Sequence, residues 1–479
     1  MVLAFAPAAH ALDWRLEPTL NLSATYTDNV HQSATDPEDA LILSATPGFT
    51  LRSEGSRRVQ ATLQYGLTGV ARFGGGDSDR FFHNLNAVGK AELVENFLFV
   101  DGSANISQQL ISLLGSPADA TINNSNRATV GTYSISPYIQ KRFGSFANAL
   151  VRYTHSAAIF ENDVAPNANV DALAASLASG PRFGDLSWGL NYSIRKANRN
   201  GVDTTFERAS ATAGYALTRK FRVFGTVGED RNDYLSATGT SGAFYSAGFG
   251  WSPTRRTSIE ASAGERYFGR TYSLSGSHRT RVSNWNVSYA EDVSDTSQFM
   301  LTNGTVYDYF CPAPNGDTLV ITHWQFTFPP GPDCIPFGGT PGPVFDLRNG
   351  VFIAKTLRGG VSWGISKVTY SLNLTDSKRL YTLVNAEDET QSLGASAAYR
   401  MTAQTTFNST LTFVRTHVPA PLAVIAHDDD LITLSLGLNR RFSDKLSGAL
   451  IFRRTQRDSN VAASNYEENS VTATANMRF

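Results

Sequence analysis

The stretch Asn469-Ser470-Val471-Thr472-Ala473-Thr474-Ala475-Asn476-Met477-Arg478-Phe479 alternates along its length and stops on an aromatic ring. Val471, Ala473, Ala475, Met477 and Phe479 fall on one face, and Thr472, Thr474, Asn476 and Arg478 on the other. A period of two marks a β-strand with unlike faces. The rhythm continues upstream. Leu446, Gly448, Leu450 and Phe452 share a face, as do Ile432, Leu434, Leu436 and Leu438, with the turn Ser443-Asp444-Lys445 between them. Phe407, Leu411 and Phe413 answer Leu393, Ala395, Ala397, Tyr399 and Met401 across 402–404. Val368, Tyr370, Leu372 and Leu374 answer Leu357, Gly359, Val361 and Trp363 across 364–366.

The pattern reaches back through Trp285, Tyr245, Phe221, Tyr215 and Trp188 to Leu63 and finally Leu16. The segments number about 22, give or take two to four. Short turns are expected near 53–58, 94–96, 141–145, 181–185, 218–220, 252–256, 291–296, 364–366, 402–404 and 443–445. Longer polar loops fall between them, so short and long connections should alternate along the whole chain. A soluble sandwich or propeller gives no reason for that alternation. An antiparallel up-and-down transmembrane β-barrel does, because its inner turns are short and its outer loops long.

Composition agrees. Charged residues are 17% and hydrophobic ones 41% of the 479, with 39 glycines, 29 phenylalanines and 18 tyrosines. Such a chain is too polar for membrane helices and poor in charge for an ordinary soluble protein. A net charge of −1 argues against a nucleic-acid partner. The expected class is all-β: one domain over 12–479, in the outer membrane, among lipid and lipopolysaccharide.

The two faces carry different chemistry. Leu, Val, Ala and aromatic residues suit lipid, and Phe143, Phe183, Phe221, Phe442 and Phe479 beside the short turns suit an interfacial girdle. Ser392, Gly394, Ser396, Thr433, Ser435, Thr472 and Thr474 give a small, neutral, polar interior, able to pass water and hydroxyl-rich solutes. Lys90, Arg142, Arg222, Arg400, Arg441 and Arg478 take interior parity near the inner strand ends. They form a candidate basic collar, favouring anionic solutes or an acidic periplasmic partner. The plainer alternative is that they fill space and pair with turn carboxylates.

Acidic clusters at 36–39, Asp77, Asp79, 387–389 and 428–430 are assigned to outer loops, as solvated groups or divalent-ion ligands. Residues 303–348 form an unusually long outer connection holding Cys311 and Cys334, a candidate disulfide, and are expected to fold over the mouth or to stand as a surface decoration. Tyr153-Thr154-His155-Ser156 and His427-Asp428 are the nearest approaches to catalytic pairs. With no phosphate loop, CxxC or zinc-type histidine spacing, neither enzyme activity nor a cofactor nor a bound metal is expected.

Residues 1–11, ending Ala9-His10-Ala11, read as the remnant of an export signal cleaved before Leu12. So little chain before the first strand argues against a plugged TonB-dependent receptor and against fused periplasmic repeats. The terminal strand resembles that of Gram-negative outer-membrane barrels, in which a last Phe, here Phe479, is part of the signal read by the barrel-assembly machinery. The opening Thr25-Tyr26-Thr27-Asp28-Asn29-Val30 resembles an outer-membrane family associated with exosortase and PEP-CTERM sorting systems, as do the length, the hairpins and turns such as Ser252-Pro253-Thr254-Arg255-Arg256. That resemblance covers essentially the whole chain through short motifs. It implies export or anchoring of an exopolysaccharide, with the polymer and periplasmic export proteins as partners. An uptake porin for small polar solutes and a non-conducting barrel that anchors surface loops are the other readings.

Overall fold

The computed structural model describes residues 13–75, 80–112, 121–122, 126–161, 167–237, 239–296, 350–420, 422–423 and 425–479, with the backbone of 306–312, 318–324 and 335–337. The candidate signal remnant, 1–11, lies outside the described residues.

The chain forms one 22-stranded antiparallel sheet that closes on itself. Its first strands are β1 (Asp13–Thr27), β2 (Ala40–Glu54), β3 (Val59–Phe73), β4 (Arg80–Val94) and β5 (Leu98–Leu110). Next come β6 (Arg127–Phe143), β7 (Ala147–Phe160), β8 (Ala168–Ser179), β9 (Leu186–Arg199) and β10 (Val202–Thr218). Then follow β11 (Phe221–Asp233), β12 (Gly242–Thr254), β13 (Thr257–Arg266), β14 (Gly269–Arg279) and β15 (Ser283–Asp295). A separate three-stranded sheet follows: β16 (Val306–Pro312), β17 (Thr318–Trp324) and β18 (Ile335–Phe337). The barrel resumes with β19 (Val351–Ile365), β20 (Val368–Tyr381), β21 (Ala386–Arg400) and β22 (Thr405–Val418). It ends with β23 (His427–Arg441), β24 (Leu446–Ser459) and β25 (Tyr466–Arg478). Closure comes from β1 against β25, paired from Thr19↔Arg478 to Thr27↔Ser470. The strand number is the expected one.

Two details of the connections differ from expectation. The segment 291–296 is no turn: β15 runs through it to Asp295, and the inner turn of that hairpin is at 280–282. The long outer connection therefore spans 296–350. Nor do short and long connections alternate throughout. On the outer side, Asn200-Gly201 and Tyr267-Phe268 join their strands directly. Asn200 and Gly201 have φ of 50° and 79°, the positive pair that a primed hairpin turn requires.

Cross-strand register fixes which side chains look outward. Leu22, Ala24 and Tyr26 stand beside Ala45, Leu43 and Leu41 on one face, while Thr25 and Thr27 take the other. Large apolar side chains are exposed outward, Tyr245 by 59% and Leu450 by 53%. Only a hydrocarbon solvent makes so extensive an apolar exterior favourable, and closure leaves no unpaired edge in it. The outer-membrane barrel class follows.

The outward face also carries the borders of the bilayer. Trp14, Trp188, Trp251, Trp285 and Trp363 all lie within three residues of the inner ends of their strands. Rings stack there, Trp363 on Tyr370 at 5.3 Å and Phe221 on Phe249 at 5.9 Å, while Phe146, Phe183 and Trp188 cluster within 6.0 Å of one another. This is the inner aromatic girdle. Nearer the outer strand ends, outward tyrosines donate to carboxylates on the next strand: Tyr153 to Asp171 at 2.6 Å, Tyr192 to Glu207 at 3.1 Å and Tyr245 to Glu265 at 2.9 Å. A carboxylate on the outer wall marks where the strand has left hydrocarbon, since ionised groups there carry a high desolvation cost.

Candidate functional site

The lumen is the site. Its wall is a ladder of hydroxyls paired across strands: Thr25 with Thr472 at 2.9 Å, Ser23 with Ser44 at 2.7 Å, Thr46 with Thr68 at 2.9 Å and Ser371 with Ser396 at 2.6 Å. Opposite positions on neighbouring strands bring two small side chains to hydrogen-bond distance. Each hydroxyl both donates and accepts, so a paired hydroxyl keeps a lone pair for water or solute.

All six collar candidates take the inward face by register, near the inner strand ends. They do not share one environment. Lys90 lies 5.6 Å from the Phe99 ring, Phe99 stacks on Tyr138 at 5.0 Å, and the Arg152 guanidinium lies 3.9 Å from the far ring. Four adjacent strands thus contribute a cation–ring–ring–cation stack, and Arg152 also pairs with Asp101 at 2.8 Å. Arg222 pairs with Glu260 across the curve of the wall. Arg142 donates to Asn148 at 3.2 Å. Arg400, Arg441 and Arg478 stand on β21, β23 and β25, which are separated by one strand each. Glu17, which pairs with Arg15 at 2.8 Å, takes the same inward parity. The inner mouth is therefore mixed in sign along β1 and β11 to β13, with its cations foremost along β21 to β25.

Several acids read as loop residues stand in strands and hold basic partners. Asp388 receives a two-pronged bond from Arg379 at 2.9 and 2.6 Å, facing the lumen, while Glu389 meets Lys378 at 3.1 Å on the other face. Asp428, Asp429 and Asp430 meet His417 at 2.6 Å, Arg457 at 2.6 Å and Arg415 at 2.7 Å. The loop assignment fails because a strand above the membrane has water outside it and needs no apolar alternation. Asp77 and Asp79 lie outside the described residues, as do Cys334 and the side chain of Cys311. Among the described residues no group of three His, Cys, Asp or Glu could hold a metal ion.

The nearest approaches to catalytic pairs come apart: Asp428 meets His417, while His427 lies 3.9 Å from Asp429. His155 bonds Asp171 at 2.8 Å on the outer wall, with Tyr153 on the same carboxylate, whereas Ser156 points inward to Ser134 at 3.1 Å. The aliphatic hydroxyls of that segment, Thr154 and Ser156, face the lumen, away from His155.

The outer half of the lumen carries a network that sequence order conceals. Arg208 on β10 reaches Asp230 at 2.9 Å and Asp292 at 2.8 Å, and Arg266 on β13 reaches the same two carboxylates at 2.9 and 2.7 Å. Arg195 on β9 pairs with Asp295 on β15. Phe244 lies 5.9 Å from both network guanidiniums. Beside them, Tyr234 and Tyr267 share a hydroxyl bond of 2.9 Å. Burial, then the Tyr234 bond, raises the Tyr267 phenol above its usual value and keeps it neutral. The same arc is lined by glycines with a ring or cation laid over them. A Cβ at Gly248 would lie 2.6 Å from Phe224 Cζ, one at Gly228 2.5 Å from Phe244 Cζ, and one at Gly250 2.6 Å from Arg222 Nε.

At the seam, the motif Thr25-Tyr26-Thr27-Asp28-Asn29-Val30 acquires a role. Thr27 and Gln32 donate to the two oxygens of Glu468 at 2.9 and 2.7 Å. Asn29 donates to the Glu467 carbonyl at 2.9 Å, and Asp28 accepts from the backbone and side chain of Asn469 at 2.7 and 2.8 Å. Three successive residues of the last strand are held by the end of the first.

The sequence matches no protein-family model and no curated protein. Solved structures do match in fold. The siderophore receptor PirA from Acinetobacter baumannii aligns with a TM-score of 0.51 at 10% identity, over 97% of this chain and 80% of that one. The FrpB iron transporter from Neisseria meningitidis aligns with a TM-score of 0.50 at 11% identity, over 97% and 81%. At that identity the likeness is one of fold: a large outer-membrane β-barrel.

Proposed function

We propose that this barrel is a channel taking part in exopolysaccharide export, in the exosortase-associated family that its opening motif resembles, working with periplasmic export proteins and without catalysis of its own. The observation that carries this reading is the hydroxyl ladder. A wall of paired Ser and Thr exchanges hydrogen bonds with a hydroxyl-rich chain at each step without binding it tightly at any. The cations in the outer half of the lumen support it, because Arg208, Arg266, Arg379 and Arg457 are each committed to carboxylates. The cation-rich inner mouth along β21 to β25 would suit an acidic polymer or an acidic periplasmic partner. Deleting the gene tests the reading: surface polysaccharide should be lost while uptake of small solutes is kept. Retained polysaccharide with impaired uptake would instead establish an uptake porin, a reading favoured by the fold shared with a siderophore receptor and an iron transporter. Liposome swelling in sugars separates either from a barrel that only anchors surface loops.

A further inference from the structure

Neighbouring strands lie about 4.8 Å apart, so the five steps from β10 to β15 cover about 24 Å of wall. Yet Arg208 on β10 and Asp292 on β15 meet at 2.8 Å, and Arg195 on β9 meets Asp295 on β15, one step further apart. No round cross-section allows either contact. The wall from β9 to β15 is bent into a tight fold whose two sides touch across the interior. The buried pairs Arg379–Asp388 and Arg457–Asp429 are of a different kind: each joins adjoining strands and leaves the lumen uncrossed.

Three observations say how the bend is made. Gly228, Gly248 and Gly250 remove Cβ atoms from its concave side, where Phe244, Phe224 and Arg222 lie against the bare backbone. Asp230 is 1% exposed and is held by two arginines, which fixes the deep corner. Asp292 is the shared anchor on the far side, and its side chain stays half open to water. Two arginines and two aspartates leave the cluster neutral. It offers a solute no net charge and acts through the shape it imposes.

We propose that Arg208, Arg266, Asp230 and Asp292 set the bore of the outer half of the barrel by pinning β10 to β15. The solute path then runs off-centre, along the wall from β19 round to β8. Resting on the channel reading, this deepens it: the path is lined by Ser and Thr pairs such as Ser371–Ser396 and Thr25–Thr472, and selects a hydroxyl-rich segment by width.

The test uses the full barrel in liposomes and planar bilayers. Nitroxides at Val202→Cys on β10 and Ala290→Cys on β15, both exposed, report the spacing of the two sides by pulsed electron resonance, with Cys311 and Cys334 replaced by Ser. Asp292→Ala should lengthen that distance and roughly double single-channel conductance as the pinned arc joins the pore. Asp292→Glu keeps the charge and should hold the original distance. Asp428→Asn, which alters the contact with His417 on the outer wall, should change neither quantity. Folding of each variant is checked by its heat-modifiable gel mobility. An unchanged distance and conductance in folded Asp292→Ala would overturn the pin. A lengthened distance in a barrel that never conducts would uphold the pin and overturn the channel reading.

Discussion

The Thr27 hydroxyl donates to Glu468 Oε1 at 2.9 Å, joining the first and last strands of the barrel across 441 positions of sequence. Glu468 is 3% exposed and its other oxygen receives Gln32 at 2.7 Å, so the carboxylate depends on these two donors. Each hydrogen bond to a charged group contributes about 1.5–3 kcal/mol, and a buried acceptor left unsatisfied costs as much again.

Removing both donors, in Thr27→Ala with Gln32→Ala, should destabilise the folded barrel by about 2–5 kcal/mol. The measurement is the urea midpoint followed by gel mobility of unheated samples. Thr25→Val, which breaks the uncharged hydroxyl pair with Thr472, should cost only about 1 kcal/mol.

The glycines of the β10–β13 arc give a second test. Gly248→Ala places a methyl 2.5 Å from the Ala261 carbonyl and 2.6 Å from Phe224 Cζ, and should cost about 1–3 kcal/mol through overpacking. Gly394→Ala points into open space, and should stay within about 0.5 kcal/mol of the parent. Phe224→Ala combined with Gly248→Ala should recover part of the loss, because only the ring contact is relieved.

Arg400 and Arg441 stand at the cation-rich side of the inner mouth. Reversing both, in Arg400→Glu with Arg441→Glu, should change the sign of the zero-current potential measured in a salt gradient across a planar bilayer. Reversing Arg222, whose neighbour Glu260 already offsets it, should move that potential less.

Trp14, Trp188, Trp251, Trp285 and Trp363 occupy one level near the inner strand ends. Fluorescence in brominated lipids should therefore be quenched most by bromines near the head-group end of the acyl chain and least by those near its tip. Strongest quenching from the chain tip would contradict the assigned girdle.

Strand number was legible because hydrocarbon outside and water inside impose a period of two on every membrane-crossing segment. Legibility stopped where the hydrocarbon stops. Glu291-Asp292-Val293-Ser294-Asp295 reads as a polar turn, yet it is the outer end of β15, with Asp292 and Asp295 committed to arginines on other strands. Asn200-Gly201 did carry the signature of a tight hairpin, whereas Tyr267-Phe268 has no turn signature of its own. The inward parity of the collar candidates followed from alternation. Their partners did not: Glu260 for Arg222 lies two strands away, and the stack joining Lys90 to Arg152 runs over four strands.

Because Thr19 to Thr27 pair with Arg478 to Ser470 as regularly as any hairpin pairs within itself, the sheet is in effect a ring with one cut in it. Both ends of the cut lie on the same rim, one strand apart. A covalent link there, with a new opening made at a two-residue turn such as 219–220 or 366–367, would leave every strand with its present neighbours. Such a permuted chain should build the same barrel wall once it is folded. The terminal Phe would then lie inside the chain, so the permutant would separate what the finished wall requires from what its insertion requires.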